Sequence, residues 1–171
     1  IEQISPRPVV YSLGETMQCT QPLEQLRTEF EEEPTVLLFP TDDAQILYTS
    51  GTTGLPKGAL FTHANIISLN MSVSVMTKLS QEDKYLLVAP AFHSAGLNMI
   101  LTSTFFAGAT LVMQRDFHPV ETQKAIQQHK ITVFFAVPAM YSACFMVPKG
   151  SFDLSSVRIY NYGAAPMSPG L

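Results

Sequence analysis

The chain has 171 residues, 46% of them hydrophobic and 14% charged, a balance long enough and apolar enough for one folded domain with a buried core, and one that excludes disorder. The net charge of −4 is uneven: residues 1–43 carry nine acids against two bases, and residues 44–171 five against eight. No basic stripe or Arg-rich helix occurs, so nucleic acid is not an expected partner.

In chain order, Ile1 to Val10 has neither an initiator Met nor the basic-then-apolar layout of a signal peptide, and the last residues stop just after an Ala-Pro-Met-Ser-Pro turn. Both ends are expected to be cut. Residues 1–43 hold Pro6, Pro8, an amphipathic stretch with Leu23, Leu26 and Phe30 on one helical face, and the run Glu31-Glu32-Glu33-Pro34, which together predict a partly helical connecting segment.

From residue 44 onward short apolar runs alternate with helical segments. Strands are predicted at 45–49, 59–61, 85–89, 110–113, 132–136 and 158–162, and helices at 63–77, 95–106, 119–129 and 138–145. Thr62 suits the N-cap of the first helix, whose Ile66, Leu69, Val73 and Met76 share a face, and Pro119 and Pro138 suit first helical turns. The fold class that follows is α/β, a mainly parallel sheet with flanking helices.

Met99 to Met113 is the most apolar stretch, but Thr102, Ser103, Thr104, Gly108 and Thr110 interrupt it and it is too short for a bilayer of roughly 30 Å. It reads as core, with no transmembrane segment. Cys19 and Cys144 stand far apart and neither has a metal-ligand spacing partner, so neither a disulfide framework nor a metal site is expected, and a reducing cytoplasm fits.

The stretch that carries chemistry is Tyr48-Thr49-Ser50-Gly51-Thr52-Thr53-Gly54-Leu55-Pro56-Lys57-Gly58. Four Ser/Thr hydroxyls, three glycines and a lysine sit between two apolar strands. Glycines let main-chain N–H groups turn into one concavity, hydroxyls add donors, and Lys57 brings a full charge, a set suited to phosphate. A charge pair at ~4 Å is worth about 1 kcal/mol in bulk water and about 4 at an effective dielectric of 20, so Lys57 counts most where water is excluded. A Walker loop would need Gly-Lys-Ser/Thr and then a helix; here Lys57 follows Pro56, and Ala59-Leu60-Phe61 continues as strand, so the reading is a strand-loop-strand hairpin.

This string resembles the signature of the adenylate-forming (AMP-binding) superfamily, which includes acyl-CoA synthetases, firefly luciferase and peptide-synthetase adenylation domains. The resemblance runs from about Leu37 to the end and takes in the Thr62-His63-Ala64-Asn65 helix start. It implies ATP as the nucleotide, its β- and γ-phosphates on Thr49, Ser50, Gly51, Thr52, Thr53, Gly54 and Lys57, with Lys57 also catalytic. A substrate carboxylate then attacks the α-phosphorus and Mg-pyrophosphate leaves, chemistry that rests on positioning and charge and needs no triad or reactive Cys.

Two further motifs extend the resemblance. Pro90-Ala91-Phe92-His93-Ser94-Ala95-Gly96 follows a strand and looks like the family's aromatic motif on the acyl pocket, with Phe92 and His93 at the carboxylate end and Gly96 leaving room for substrate. Gly163, Ala164 and Ala165 look like the small-residue turn bordering adenine and the acyl group. Peptide synthetases place Asp directly after this Phe to pair an amino group; His93 stands there instead, so a plain carboxylic acid, fatty or aryl, is implied.

Arg115 is either near the path of CoA or a solvated loop charge, and the pocket's far wall is expected to include Met140 and Tyr141. His63, His118 and His129 are given no role. The resemblance implies residues 44–171 as an incomplete AMP-binding domain without its C-terminal domain, from an acid-thiol ligase using ATP, Mg2+ and CoA. The alternatives are another adenylating enzyme or a non-catalytic nucleotide-binding fragment.

Overall fold

A computed structural model describes residues 11–12, 20–26, 35–49, 54–168 and 170. The chain divides into two units, 1–37 and 38–171. In the first, β1 (Tyr11–Ser12) and β2 (Gln21–Pro22) pair in parallel, Tyr11 opposite Gln21, and a single 3-10 turn, Leu23–Leu26, follows where an amphipathic helix was expected to begin. Phe30, the acidic run, Cys19 and the first ten residues lie outside the described residues.

The second unit opens with the hairpin. β3 (Asp43–Thr49) and β4 (Lys57–Thr62) are antiparallel, with Tyr48 opposite Gly58 and Thr49 opposite Lys57. Gly58 is needed there, because a Cβ would stand 2.9 Å from the Ile46 side chain and 3.4 Å from the Tyr48 ring. The hairpin runs directly into α1 (His63–Thr77), where Thr62 closes a capping box: its hydroxyl accepts from the Asn65 amide at 3.3 Å, and Asn65 Oδ1 accepts from the Thr62 amide at 3.1 Å.

The expected apolar face of α1 is only partly the buried one. Val73 is buried, Ile66 and Leu69 are half-buried, and Met76 is 83% exposed, while Asn70 and Thr77 are inside. Apolar and polar residues alternate all round α1, so its period does not choose a face; polar contacts do. Asn70 Oδ1 accepts hydrogen bonds from Thr102 (2.9 Å) and Ser103 (3.2 Å), which turns that side of the helix inward.

The core is a four-stranded parallel sheet of β5 (Lys84–Leu87), β6 (Thr110–Met113), β7 (Val133–Ala136) and β8 (Ile159–Tyr162), in the order β6-β5-β7-β8. Alternate residues face opposite layers. Tyr85, Leu87, Val133 and Phe135 pack with Ile100, and Leu86, Val88, Phe134 and Ala136 pack with Ile126 and Tyr141. Both faces are covered, which is why these strands read as unbroken apolar runs.

The segment expected as one helix over 95–106 is two. Ala95–Leu101 winds as a π-helix and α2 (Thr102–Phe106) continues as an α-helix. The hydroxyls of Thr102 and Ser103 each sit between Asn70 Oδ1 and the Asn98 carbonyl, 2.9 and 3.0 Å from the latter, so that each shares its one proton between these two acceptors, and Thr104 donates to the Ile100 carbonyl at 2.6 Å. At the junction the Thr102 amide reaches back to the Leu97 carbonyl, five residues earlier, which is the wider π turn. On the opposite face of the sheet lie α3 (Pro119–His129) and α4 (Pro138–Phe145), each opened by its proline.

The amino edge of the sheet is locked by a buried ion pair. Asp83 accepts from Arg158 Nε (2.8 Å), Arg158 NH2 (2.6 Å) and the Thr132 hydroxyl (2.6 Å), and the Ser80 amide caps it at 2.9 Å. Arg158 also donates to the Thr77 and Lys78 carbonyls at the end of α1. This cluster ties β5, β7, β8 and α1 together and leaves the opposite edge free for other work.

Candidate functional site

Strands that all run the same way end on the same edge, and an open parallel sheet binds ligands there. The residues following β5, β6 and β8 at that edge are Pro90 to Gly96, Gln114 to Asp116 and Gly163 to Pro166. The sheet order therefore gathers three stretches that lie up to about seventy residues apart in the chain.

After β5 the chain makes a tight turn in which the His93 amide donates to the Pro90 carbonyl at 3.1 Å. His93 is exposed, its carbonyl accepts from the Leu97 amide at 2.9 Å, and its ring Nδ1 accepts from the Ala95 amide at 3.2 Å. Phe92 stands 83% exposed beside it. Gly96 is buried, and a Cβ there would meet the Pro90 carbonyl oxygen at 2.2 Å. Glycine is thus required here by the main chain of Pro90, which leaves no space for a side chain.

At the end of β8, a Cβ on Gly163 would lie 3.3 Å from the Phe135 ring. Ala164 follows with φ of +67°, a left-handed conformation that L side chains adopt at a cost, and Ala165 is exposed. Backbone strain of this kind collects where the main chain must be presented to something. After β6, the Arg115 side chain is 97% exposed, with Asp116 Oδ2 4.0 Å away. A pair this solvated contributes little stability.

In the hairpin, Thr49 and Lys57 face one another across the ladder at its open end, and the Thr49 hydroxyl lies 3.5 Å from the Lys57 carbonyl. Gly54 has φ of +88°, the conformation expected of a loop that turns its amides inward. Both Gly54 and Lys57 are exposed. Ser50, Gly51, Thr52 and Thr53 lie outside the described residues.

A cavity of about 430 Å³ opens elsewhere, lined by Phe134, Tyr141, Tyr160, Tyr162, Phe145 and Met167. It lies in the layer under α3 and α4, on the sheet face opposite the one Ala95 joins, and reaches the carboxyl end of β8 through Tyr162 and Met167. Met140 and Tyr141 pack in this same layer. The Tyr141 hydroxyl is committed to the Asn161 carbonyl at 2.8 Å, and burial pushes its phenol well above the ordinary tyrosine range, with Tyr160, Tyr85 and Cys144 adding to the shift.

Comparison with known proteins joins these stretches to a family. The AMP-binding enzyme family matches residues 3–171. The chain belongs to that family. It is 39% identical over 143 residues to a feruloyl-CoA synthase from Amycolatopsis, covering 82% of this chain and 29% of that protein. Among solved structures, it resembles the inhibitor-bound N-terminal domain of FACL13 from Mycobacterium tuberculosis, with 32% identity, a TM-score of 0.79, and coverage of 86% of this chain and 37% of the other. ATP-bound MatB from Rhodopseudomonas palustris matches at 29% identity and a TM-score of 0.68, over 75% of this chain and 25% of that one. The chain spans under a third of the length of the feruloyl-CoA synthase, so the family fold is represented here by one portion of it.

Thr49 and the exposed Lys57 stand opposite one another where the hairpin opens into its loop, and Gly54 in that loop is left-handed. Among the described residues no group of three or more His, Cys, Asp or Glu could hold Mg2+. No helix among the described residues is long and apolar enough to cross a membrane. Sequence reasoning missed two groups at this edge, the Pro90 carbonyl and the Ala95 amide. Both are main-chain atoms, and no side-chain pattern announces them.

Proposed function

We propose that the protein activates a carboxylic acid with ATP to an acyl-adenylate and transfers the acyl group to the thiol of CoA. The observation that carries this reading is the hairpin: its register sets Thr49 against Lys57 at the mouth of a loop whose Gly54 is left-handed. Thr49, Ser50, Gly51, Thr52, Thr53, Gly54 and Lys57 hold the β- and γ-phosphates. Lys57 neutralises charge that builds on the departing pyrophosphate.

Gly163, Ala164 and Ala165 lie along the adenine, where small side chains admit a flat ring. Phe92 and His93 meet the carboxylate end of the acid, and Arg115 meets CoA. Mg2+ accompanies ATP. Similarity to a feruloyl-CoA synthase supports arylpropenoic acids as the first substrates to try, with fatty acids as the second class. A cytoplasmic location goes with the supply of ATP and CoA.

The test is release of pyrophosphate by the full-length protein from ATP and Mg2+ with a panel of aryl and fatty acids. Lys57→Ala is expected to slow adenylation by roughly 10²- to 10³-fold, the effect of losing one charge-stabilising donor. An unchanged rate removes Lys57 from the mechanism, and no pyrophosphate from any acid removes the function.

A further inference from the structure

We infer that the Ala95 amide fixes the tautomer of His93, so that the ring presents an Nε2–H donor to the substrate carboxylate and has no lone pair there to act as a base. The inference rests on the site proposed above and adds to it a positioning group, the main chain of Ala95, and a defined proton position.

A neutral imidazole has one N–H and one acceptor nitrogen, and which is which follows from the partner of either. Here the partner is unambiguous, because a backbone amide can only donate. The Ala95 N–H points at His93 Nδ1 at 3.2 Å, so Nδ1 is the acceptor and the proton sits on Nε2. An Nδ1–H tautomer would set two N–H groups against each other and leave the amide at the start of the π-helix without a partner.

Two other hydrogen bonds hold the ring's base in place. The His93 amide is tied to the Pro90 carbonyl and the His93 carbonyl to the Leu97 amide, so the backbone on both sides of Cα is constrained. Gly96 permits this geometry, since the close approach of its main chain to the Pro90 carbonyl leaves no space for a side chain. His93 is exposed at the carboxyl edge, so the Nε2–H is open to an anion.

One carboxylate oxygen accepts this bond. The other attacks the α-phosphorus, the bond from that phosphorus to the β-phosphate bridging oxygen breaks, and its electron pair leaves with pyrophosphate. No proton passes through His93 in this step.

Two variants separate the donor from the helix cap. His93→Gln carries an amide N–H at the reach of Nε2 but does not reproduce the acceptor at Nδ1. His93→Asn keeps an oxygen for the Ala95 amide, as Asn does at helix starts, but has no donor at the reach of Nε2. In the full-length protein, His93→Asn is expected to unfold at the wild-type temperature while KM for the acid rises roughly 10- to 100-fold and KM for ATP stays put. His93→Gln is expected to hold KM for the acid within about 5-fold of wild type, the change anticipated when a donor is retained.

Wild-type behaviour in His93→Asn, or an equal loss in both variants, overturns the inference. Nitrogen NMR of histidine-labelled protein, with His93 assigned by its loss in either variant, is expected to show a proton on Nε2 and an acceptor at Nδ1. A proton on Nδ1 overturns it as well. The NMR result does not depend on turnover, so a wrong tautomer and a wrong function fail separately.

Discussion

Replacing Arg158 by Met leaves the Asp83 carboxylate inside the protein without its cation. The Asp83 side chain is 5% exposed and that of Arg158 36%, and they meet through two short bonds of 2.6 and 2.8 Å. An uncompensated buried charge costs about 3–5 kcal/mol, and the partial exposure of Arg158 brings the expected loss to the low end, about 3 kcal/mol.

The pH dependence has a definite sign. Burial alone would push the Asp83 carboxyl up, but hydrogen bonds from Arg158, Thr132 and the Ser80 amide, with the Arg158 charge, outweigh it and hold the group well below the ordinary carboxylate range. A depressed folded value contributes stability that is fully present above the unfolded value of about 3.9 and is lost as pH falls through the folded one. In Arg158→Met burial has no cation to oppose it, so Asp83 takes up a proton in mild acid and the penalty is relieved. The gap between wild type and variant, read by calorimetric unfolding of the full-length protein, should be largest near neutrality and shrink toward about pH 4. A loss under about 1 kcal/mol at neutrality, or an equal loss at both pH values, would refute the electrostatic account.

Three other substitutions test the local geometry. Gly96→Ala puts a methyl 2.2 Å from the Pro90 carbonyl oxygen, a backbone atom that cannot swing aside, and should cost about 2–3 kcal/mol together with activity; unchanged unfolding would show that the turn relaxes freely. At Ala164, with φ of +67°, Val should destabilise by about 1–2 kcal/mol while Gly stays within about 0.5 kcal/mol of wild type, and equal effects of the two would remove strain as the cause. Thr62→Ala removes the hydroxyl that caps α1 and should cost about 1 kcal/mol, with Thr62→Ser retaining most of it; a neutral Ala variant would show that the Asn65 half of the capping box suffices.

Much of this protein was legible one residue at a time. The hairpin, the sheet strands and helices α3 and α4 follow from apolar runs, from prolines at first helical turns and from a glycine- and hydroxyl-rich loop, because these signals are local and their physics acts over a few residues. Family membership was legible for the same reason, since phosphate binding demands several residue types in one short stretch. What the chain order alone could not decide was any feature set by a partner distant in sequence. Asn70 turns inward because Thr102 and Ser103 meet it from over thirty residues away, and Asp83 is charged and buried because Arg158 arrives seventy-five residues later.

The site shows the same division. His93 and Gly96 could be picked out by motif, yet the close approach of Gly96 to the Pro90 carbonyl was visible only in the packed chain, and the proton on His93 is assigned by an amide that has no side-chain signature. Residue types state what chemistry is on hand. Only the packed main chain decides which atoms are already taken, because hydrogen bonds and close contacts are satisfied in space and not along the sequence.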